Sequence, residues 1–122
     1  MRIFKTRALA RYARKEKIGD ASLLESVARA ERGLIDADLG GHVIKQRVAR
    51  TGQGRSAGYR LLVAFRARHR AVFLLGFAKN ERDNIDDNQL ATLQKIAAGW
   101  LGASASIIDA AIAEGSLVEV ET

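Results

Sequence analysis

The 122-residue chain has no cysteine and only two histidines, and each of these features excludes a class of function. Without thiols the chain can form no disulfide, thiolate zinc site or cysteine nucleophile. His42 and His69 lie 27 positions apart, so we expect neither a histidine-rich metal centre nor a cofactor. No apolar run approaches the roughly 20 residues of a membrane-spanning helix, and the first residues lack the apolar core of a signal peptide. We therefore expect a cytoplasmic protein.

The composition is typical of a globular protein, with 48% hydrophobic and 28% charged residues. A chain of this length can bury roughly two-thirds of its extended surface on folding. The sequence contains no internal repeat and no linker, so we expect a single domain over residues 1–122.

Positive charge concentrates in two stretches, although the net charge is only +6. Residues 45–82 carry ten basic side chains against one acid, and residues 1–17 carry seven against one. Eight of the ten basic side chains in residues 45–82 are arginines, whose planar guanidinium suits bidentate phosphate contacts. The pattern indicates a surface that binds a polyanion, most obviously nucleic acid. The simpler alternative is that these arginines only keep exposed strands and helices soluble and bind no polyanion.

The hydrophobic periodicity predicts an α+β fold in which a meander of strands stands between helices. Capping boxes are expected at Ser22 with Glu25 and at Asp86 with Gln89. The elements expected in chain order are a strand at 2–5, helices at 6–17 and 22–33, strands at 43–49, 59–66 and 71–78, a helix from 86, a helix at 106–114 and an edge strand at 117–120. The short link at 66–70 makes the second and third strands of the meander an antiparallel hairpin.

The same periodicity predicts which side chains face the core. Tyr59 belongs to the inward face of its strand, where it packs rather than reacts. The apolar stripes of the last two helices, which include Ile96 and Ile107, are also expected to face inward.

Gly52, Gly54 and Gly58 do not make a nucleotide-binding loop, because that motif needs a helix after its last glycine and here a strand follows. We interpret residues 51–54 as a loop whose glycines let the backbone approach a ligand. His69 lies among arginines at the expected hairpin turn, where solvation or phosphate contact is a simpler role than catalysis. The same reasoning applies to His42.

The remaining candidates are four basic side chains of the meander. Lys45 and Arg47 lie on its first strand, Arg60 on the second and Lys79 at the end of the third. Neighbouring antiparallel strands can gather them on one sheet face, and strand parity places Arg60 there. Lys79 shares the parity of the apolar residues of its strand, so it reaches that face only if the strand twists or bulges. Outward-pointing basic residues on a solvated face are the open alternative.

Three segments carry a resemblance to a known family: Lys45-Gln-Arg47, residues 54–60 (Gly-Arg-Ser-Ala-Gly-Tyr-Arg) and residues 77–84 (Phe-Ala-Lys-Asn-Glu-Arg-Asp-Asn). Together they resemble the RelE/ParE superfamily of bacterial toxins, in particular the HigB-like or RelE-like branch with an N-terminal helical hairpin. The resemblance implies a microbial-RNase-like fold, with helices packed on a twisted antiparallel sheet. Asn80 and Asp86 depart from the best-studied RelE pattern, which has arginine and tyrosine near these positions.

The resemblance implies the toxin of a type II toxin–antitoxin system, an endoribonuclease that cuts mRNA on the ribosome and inhibits translation. Its partners would be the ribosome, mRNA and a cognate antitoxin, which we expect to be of the helix-turn-helix type. The matching positions imply a basic catalytic set consisting of Lys45, Arg47, Arg60 and Lys79. Further arginines expected to bind RNA are Arg50, Arg55, Arg66 and Arg82. A non-catalytic nucleic-acid-binding regulator and a gyrase-inhibiting member of the superfamily remain alternatives.

The chemistry expected of such a site needs no metal. The 2′-hydroxyl of the RNA attacks its own 3′-phosphate and leaves a cyclic phosphate, provided that the phosphate is held in line and its transition-state charge is stabilised. Arg60 would clamp the phosphate with Arg47 beside it, and Lys79 or Lys45 would stabilise charge or transfer a proton.

Overall fold

The computed structural model describes residues 1–49, 58–79 and 85–121. In these residues six strands form one mixed sheet in the order β2-β3-β4-β5-β1-β6, with helices on both faces. The elements in chain order are β1 (Arg2–Thr6), α1 (Arg7–Glu16), α2 (Asp20–Glu31), β2 (Ala37–Asp38), β3 (Val43–Val48), β4 (Tyr59–Arg66), β5 (Arg70–Ala78), α3 (Asp87–Gly102), α4 (Ala105–Glu114) and β6 (Leu117–Glu119). The predicted α+β fold is confirmed.

Strands β4 and β5 lie at the centre of the sheet because both of their faces are apolar. Tyr59, Leu61 and Val63 pack against α1 and α2, whereas Leu62 and Ala64 pack on the side of α3 and α4. The two strands form the predicted antiparallel hairpin, and β3 pairs antiparallel with β4 on the other side. Two hydrophobic cores, one on each face, therefore hold the meander between two pairs of helices.

A bulge in β5 changes which face its later residues occupy. Val63 pairs with Phe73 and Leu62 pairs with Leu75, so Leu74 has no opposite residue on β4. An extra residue reverses the alternation of the strand beyond it. Phe73 accordingly packs on the α1 side, whereas Phe77 packs on the α3 side. This is the irregularity that the sequence required for Lys79 to join the other cations.

Strand β1 runs parallel to β5, so the sheet is mixed rather than wholly antiparallel. Parallel pairing needs a long crossover connection, which the chain between β1 and β5 supplies. Phe4 on β1 is fully buried and lies opposite Val72. β6 pairs antiparallel with the outer side of β1, which confirms the predicted C-terminal edge strand.

The helix boundaries confirm one of the two predicted capping boxes. At α3, the Asp86 side chain accepts from the backbone of Gln89 and the Gln89 side chain reaches back, as predicted. The box at Ser22 and Glu25 is wrong, because α2 begins at Asp20 after Gly19, which provides no side-chain cap. Glu25 lies inside the helix, where its carboxylate accepts from Arg29.

The predicted burial of Ile96 and Ile107 is also wrong. These side chains are 40% and 56% exposed, and the contact with the sheet is made instead by Ala97 on α3 and by Ile108 and other neighbours on α4. Both helices carry apolar residues over more than one face, so periodicity alone does not select the buried one. None of the described helices is by itself long and apolar enough to cross a membrane, although α3 and α4 together, bent by 114°, reach that length and composition.

Several sequence predictions fall outside the described residues. These are the loop at 51–54 and three of the four arginines expected to bind RNA, namely Arg50, Arg55 and Arg82.

Candidate functional site

The structure brings the four predicted cations to one face of one end of the sheet. Arg47 on β3 lies directly opposite Arg60 on β4, a pairing that separates Cα atoms by about 4.5–5.5 Å. Lys45 lies two residues before Arg47 on β3, and side chains two residues apart in a strand share a face. Lys79 lies two residues after Phe77 and therefore on the same face of the sheet. Its backbone N–H donates to the carbonyl of Gly58 at 3.3 Å. All four consequently lie on the side of α3.

The four cations at this end of the sheet have no ion-pair partner in the part of the protein that the structure describes. There, the side chains of Lys45, Arg47 and Lys79 form no ion pair. Arg60 donates to the carbonyl of Gly58 at 3.3 Å. Like charges directly opposite each other on neighbouring strands are destabilising. A bound anion would relieve the repulsion between Arg47 and Arg60.

A brace of ionic side chains holds Arg47 from behind. β2 begins opposite Lys45 and runs away from Arg47, and the carboxylate of Asp36 accepts from the backbone N–H of Arg47 at 2.7 Å. The buried guanidinium of Arg29 donates to the carbonyl of Arg47 and pairs with both Asp36 and Glu25. These side chains satisfy the backbone groups that a longer β2 would have paired, so the backbone at Arg47 is held in place.

Gln46 ties the same strand to α2. Its side chain is 1% exposed, and Nε2 donates to the carbonyls of Ser26 and Leu34 at 2.9 and 3.2 Å. Its Oε1 accepts from the N–H of Asp36 at 2.8 Å. Sequence reasoning missed this network, although the buried face of α2 already signalled it by including the polar Ser26 and Arg29.

A cleft of about 290 Å³ opens beside the cations, between the sheet and the first turn of α3. Lys45 and Asp87 contribute its charged groups. Its remaining lining is apolar and comes from Leu39, Leu62, Phe77, Ile85 and Leu90. The cationic cluster therefore continues on one side into an apolar recess.

Arg66 does not join the cluster. It lies at the other end of β4, six residues from Arg60, and a strand advances about 3.3 Å per residue, which separates the two by about 20 Å. Strand parity places both on one face, but position along the strand keeps them apart.

The histidines lie away from the four cations, and Tyr59 faces the opposite side of the sheet. His69 Nε2 contacts the carbonyl of Leu101 at 3.1 Å, at the C-terminal end of α3, rather than facing only solvent. His42 is exposed in the turn between β2 and β3, with φ of 64°. Tyr59 is 4% exposed, as predicted, and its hydroxyl donates to Glu16. The described residues contain no group of three His, Asp or Glu that could hold a metal.

The chain matches the family model described as the RelE toxin of the RelE/RelB toxin–antitoxin system, over residues 1–120. A comparison with curated proteins found no match. The family match confirms the superfamily that the three sequence segments indicated. Because it spans nearly the whole chain, the protein belongs to the RelE toxin family and, as the toxin of a toxin–antitoxin system, has an antitoxin as its partner.

Proposed function

We propose that this protein is an endoribonuclease that cuts mRNA on the ribosome, with Lys45, Arg47, Arg60 and Lys79 as its catalytic set. Toxins of the RelE family are generally RNases that inhibit translation. The observation that carries the assignment of the site is the convergence of these four cations on one face, beside a cleft.

The reaction is an internal transesterification. The 2′-hydroxyl oxygen attacks the adjacent phosphorus, the bond from phosphorus to O5′ breaks, and the products are a 2′,3′-cyclic phosphate and a free 5′-hydroxyl. The proton lost by the 2′-hydroxyl and the proton gained by O5′ balance the step. Negative charge grows on the phosphate oxygens in the transition state, where guanidinium donors stabilise it most.

The geometry suggests roles for the four side chains. Arg60 and Arg47, on neighbouring strands, present two planar donor forks to the oxygens of one phosphate. Lys45 and Lys79 flank them on the same face and supply the remaining positive charge, or transfer a proton to the leaving oxygen. The brace formed by Arg29 and Asp36 keeps Arg47 in register with Arg60.

The residue types at the site support a dependence on the ribosome. General acid–base catalysis contributes about 10²–10⁴-fold in rate and most often uses histidine. His69 contacts the end of α3, and His42 lies in the turn before β3. A site that works mainly by charge stabilisation needs its substrate held in line by another agent. A ribosome holding mRNA can provide that alignment, so we expect free RNA to be cut slowly.

The test is mRNA cleavage in a translating extract, mapped by primer extension. Arg60→Ala and Lys79→Ala should each lower cleavage by about 100-fold, the effect of removing one donor to a developing anion. Arg66→Ala and Lys95→Ala, which remove exposed charges elsewhere, are the matched controls and should change it little. Undiminished cutting by both Arg60→Ala and Lys79→Ala would exclude this site.

The same extract separates the alternatives. Salt-sensitive RNA binding without any cleaved product would indicate a non-catalytic regulator. DNA damage in expressing cells, with mRNA left intact, would indicate a gyrase inhibitor.

A further inference from the structure

The apolar cleft beside the cations has properties that phosphate binding does not need. Arg47 and Arg60 face each other on the sheet, whereas the cleft lies to one side of them and extends to the first turn of α3. Lys45 belongs to both, since it shares the face of Arg47 and also lines the cleft. A group bound in the cleft would therefore be attached to, or adjacent to, whatever anion the cations hold.

The size and lining of the cleft select the kind of group. Its volume of about 290 Å³ lies at the lower limit of small-ligand pockets, which favours one flat ring system over a complete nucleotide. The buried side chains of Leu62 and Phe77 form part of its lining, and Leu90 adds to it. Within RNA, the base is the part with apolar faces, and unpaired bases are commonly turned out of the strand into such sites.

Asp87 adds a preference among bases. It is the first residue of α3, and its carboxylate has no ion pair or side-chain hydrogen bond among the residues that the structure describes. An ionised carboxylate only accepts hydrogen bonds. Adenine, cytosine and guanine offer an exocyclic amino group, whereas uracil offers one ring N–H between two carbonyl oxygens that would repel the carboxylate.

We propose that this cleft binds an unpaired, amino-bearing base of the RNA next to the phosphate held by Arg47 and Arg60, and so sets the base preference of cleavage. The inference rests on the proposed function for its substrate, but base binding can be measured without cleavage. Asp87 also complements the dipole at the start of α3. That structural role affects stability and leaves the choice between bases unchanged.

The first test measures base preference in a translating extract. Reporter mRNAs that differ at one nucleotide beside a cleavage site are compared, and we expect at least about fivefold less cutting when that nucleotide is uracil. Leu90→Trp, which fills the cleft, should lower cutting at the preferred base and reduce the preference to below about twofold. Asp87→Asn, which replaces the acceptor-only carboxylate, should also reduce the preference.

Two matched controls lie away from the cleft. Ile96→Trp adds the same bulk on an exposed position of α3, and Asp109→Asn makes the same change on α4. Both controls should keep the wild-type preference. Wild-type cutting with no dependence on the neighbouring base, or a preference that Leu90→Trp leaves intact, would overturn the proposal.

The second test measures binding of nucleoside monophosphates by NMR, using the methyl signals of the cleft. Adenosine, cytidine and guanosine monophosphates should shift the signals of Leu90 and Leu39 more than uridine monophosphate does, and ribose 5-phosphate should leave them unmoved. Equal shifts with ribose 5-phosphate would mean that only phosphate is bound and would overturn the proposal. Base-dependent shifts in a protein that cuts no mRNA would refute the proposed function and support the cleft.

Discussion

At the scale of single residues, the pairing of Arg47 with Arg60 is the feature that most needs a functional explanation. Two guanidinium groups opposite each other on neighbouring strands repel, and the described residues supply no carboxylate between them. The arrangement is stable in the folded protein because packing on both faces determines the register of β3 and β4. An anion is the natural complement of the pair.

Arg60→Lys tests whether the shape of the guanidinium matters as well as its charge. Lysine keeps the charge but loses the planar fork, so cleavage in the extract should fall by about tenfold, the equivalent of one hydrogen bond to a charged group. Arg66→Lys is the matched control at the other end of β4. Equal activity of Arg60→Lys and wild type would show that only a point charge is needed there.

Arg29→Met tests the brace behind Arg47. The variant keeps the side-chain volume but loses the bonds to Glu25, Asp36 and the Arg47 carbonyl, and we expect a loss of about 2 kcal/mol in the free energy of unfolding. Arg32→Met, at the exposed end of the same helix, should change it by less than about 0.5 kcal/mol. Urea unfolding measures both, and equal midpoints for the two variants would refute the brace.

The sequence predicted where the four cations lie better than it predicted what supports them. Alternation alone was enough to place Arg47 and Arg60 on one face. Lys79 depended on a bulge, and nothing in the apolar run around Leu74 marks where the extra residue falls. Arg29 was missed because its role depends on contacts with β3. Its place on the apolar face of α2 indicates burial but does not identify its partners.

At the scale of elements, we expect alanine substitutions at two glycines to change the stability of the protein in opposite directions. A Cβ on Gly76 of β5 would lie 2.7 Å from ring carbons of Tyr12 on α1, so Gly76→Ala should destabilise the protein by about 1–3 kcal/mol. A Cβ on Gly99 meets no described atom within 4 Å inside α3, so Gly99→Ala should stabilise by about 1 kcal/mol because alanine favours helix. Thermal unfolding checks both signs, and stabilisation by Gly76→Ala would mean that α1 does not pack so closely on β5.

An ion pair between the edge strands β1 and β6 makes part of the protein's stability depend on pH. A hydrogen bond from Arg2 at 3.0 Å lowers the pKa of Glu119 below its ordinary value of 4.5. A carboxyl whose folded pKa is depressed stabilises the fold above its unfolded pKa and loses that contribution as pH falls through the folded value. Glu119→Gln should therefore lower the urea midpoint slightly at pH 7 and have a smaller effect below pH 4. Glu121→Gln is the control, and a cost of Glu119→Gln that grows towards acid pH would contradict the ion pair.

Element positions followed from periodicity, whereas pairings between distant elements did not. β4 and β5 were predictable because an apolar run and a short turn are local features. The parallel pairing of β1 with β5 joins residues almost 70 positions apart, such as Arg2 and Arg70, and depends on the whole fold. The exposure of Ile96 and Ile107 likewise follows from how α3 and α4 rest on the sheet, which their own sequences leave open.

At the scale of the whole molecule, the positive charge lies on two different sides. Arg11, Arg14 and Lys15 are exposed on α1, which packs on the sheet face opposite to α3. The four site cations lie on the α3 side. Long-range attraction to RNA draws on all of these charges, but we propose that catalysis depends only on the four site cations.

The most direct test of that claim compares two variants with equal loss of charge. One carries alanine at Lys45, Arg47, Arg60 and Lys79, and the other carries alanine at Arg11, Arg14, Lys15 and Arg66. Both are added to a translating extract, and mRNA cleavage is mapped by primer extension, with the product ends assayed for 2′,3′-cyclic phosphate. We predict that the first variant loses cleavage by more than about 100-fold while the second still cuts at the wild-type positions. Cleavage by the first variant, or equal loss in both, would contradict it.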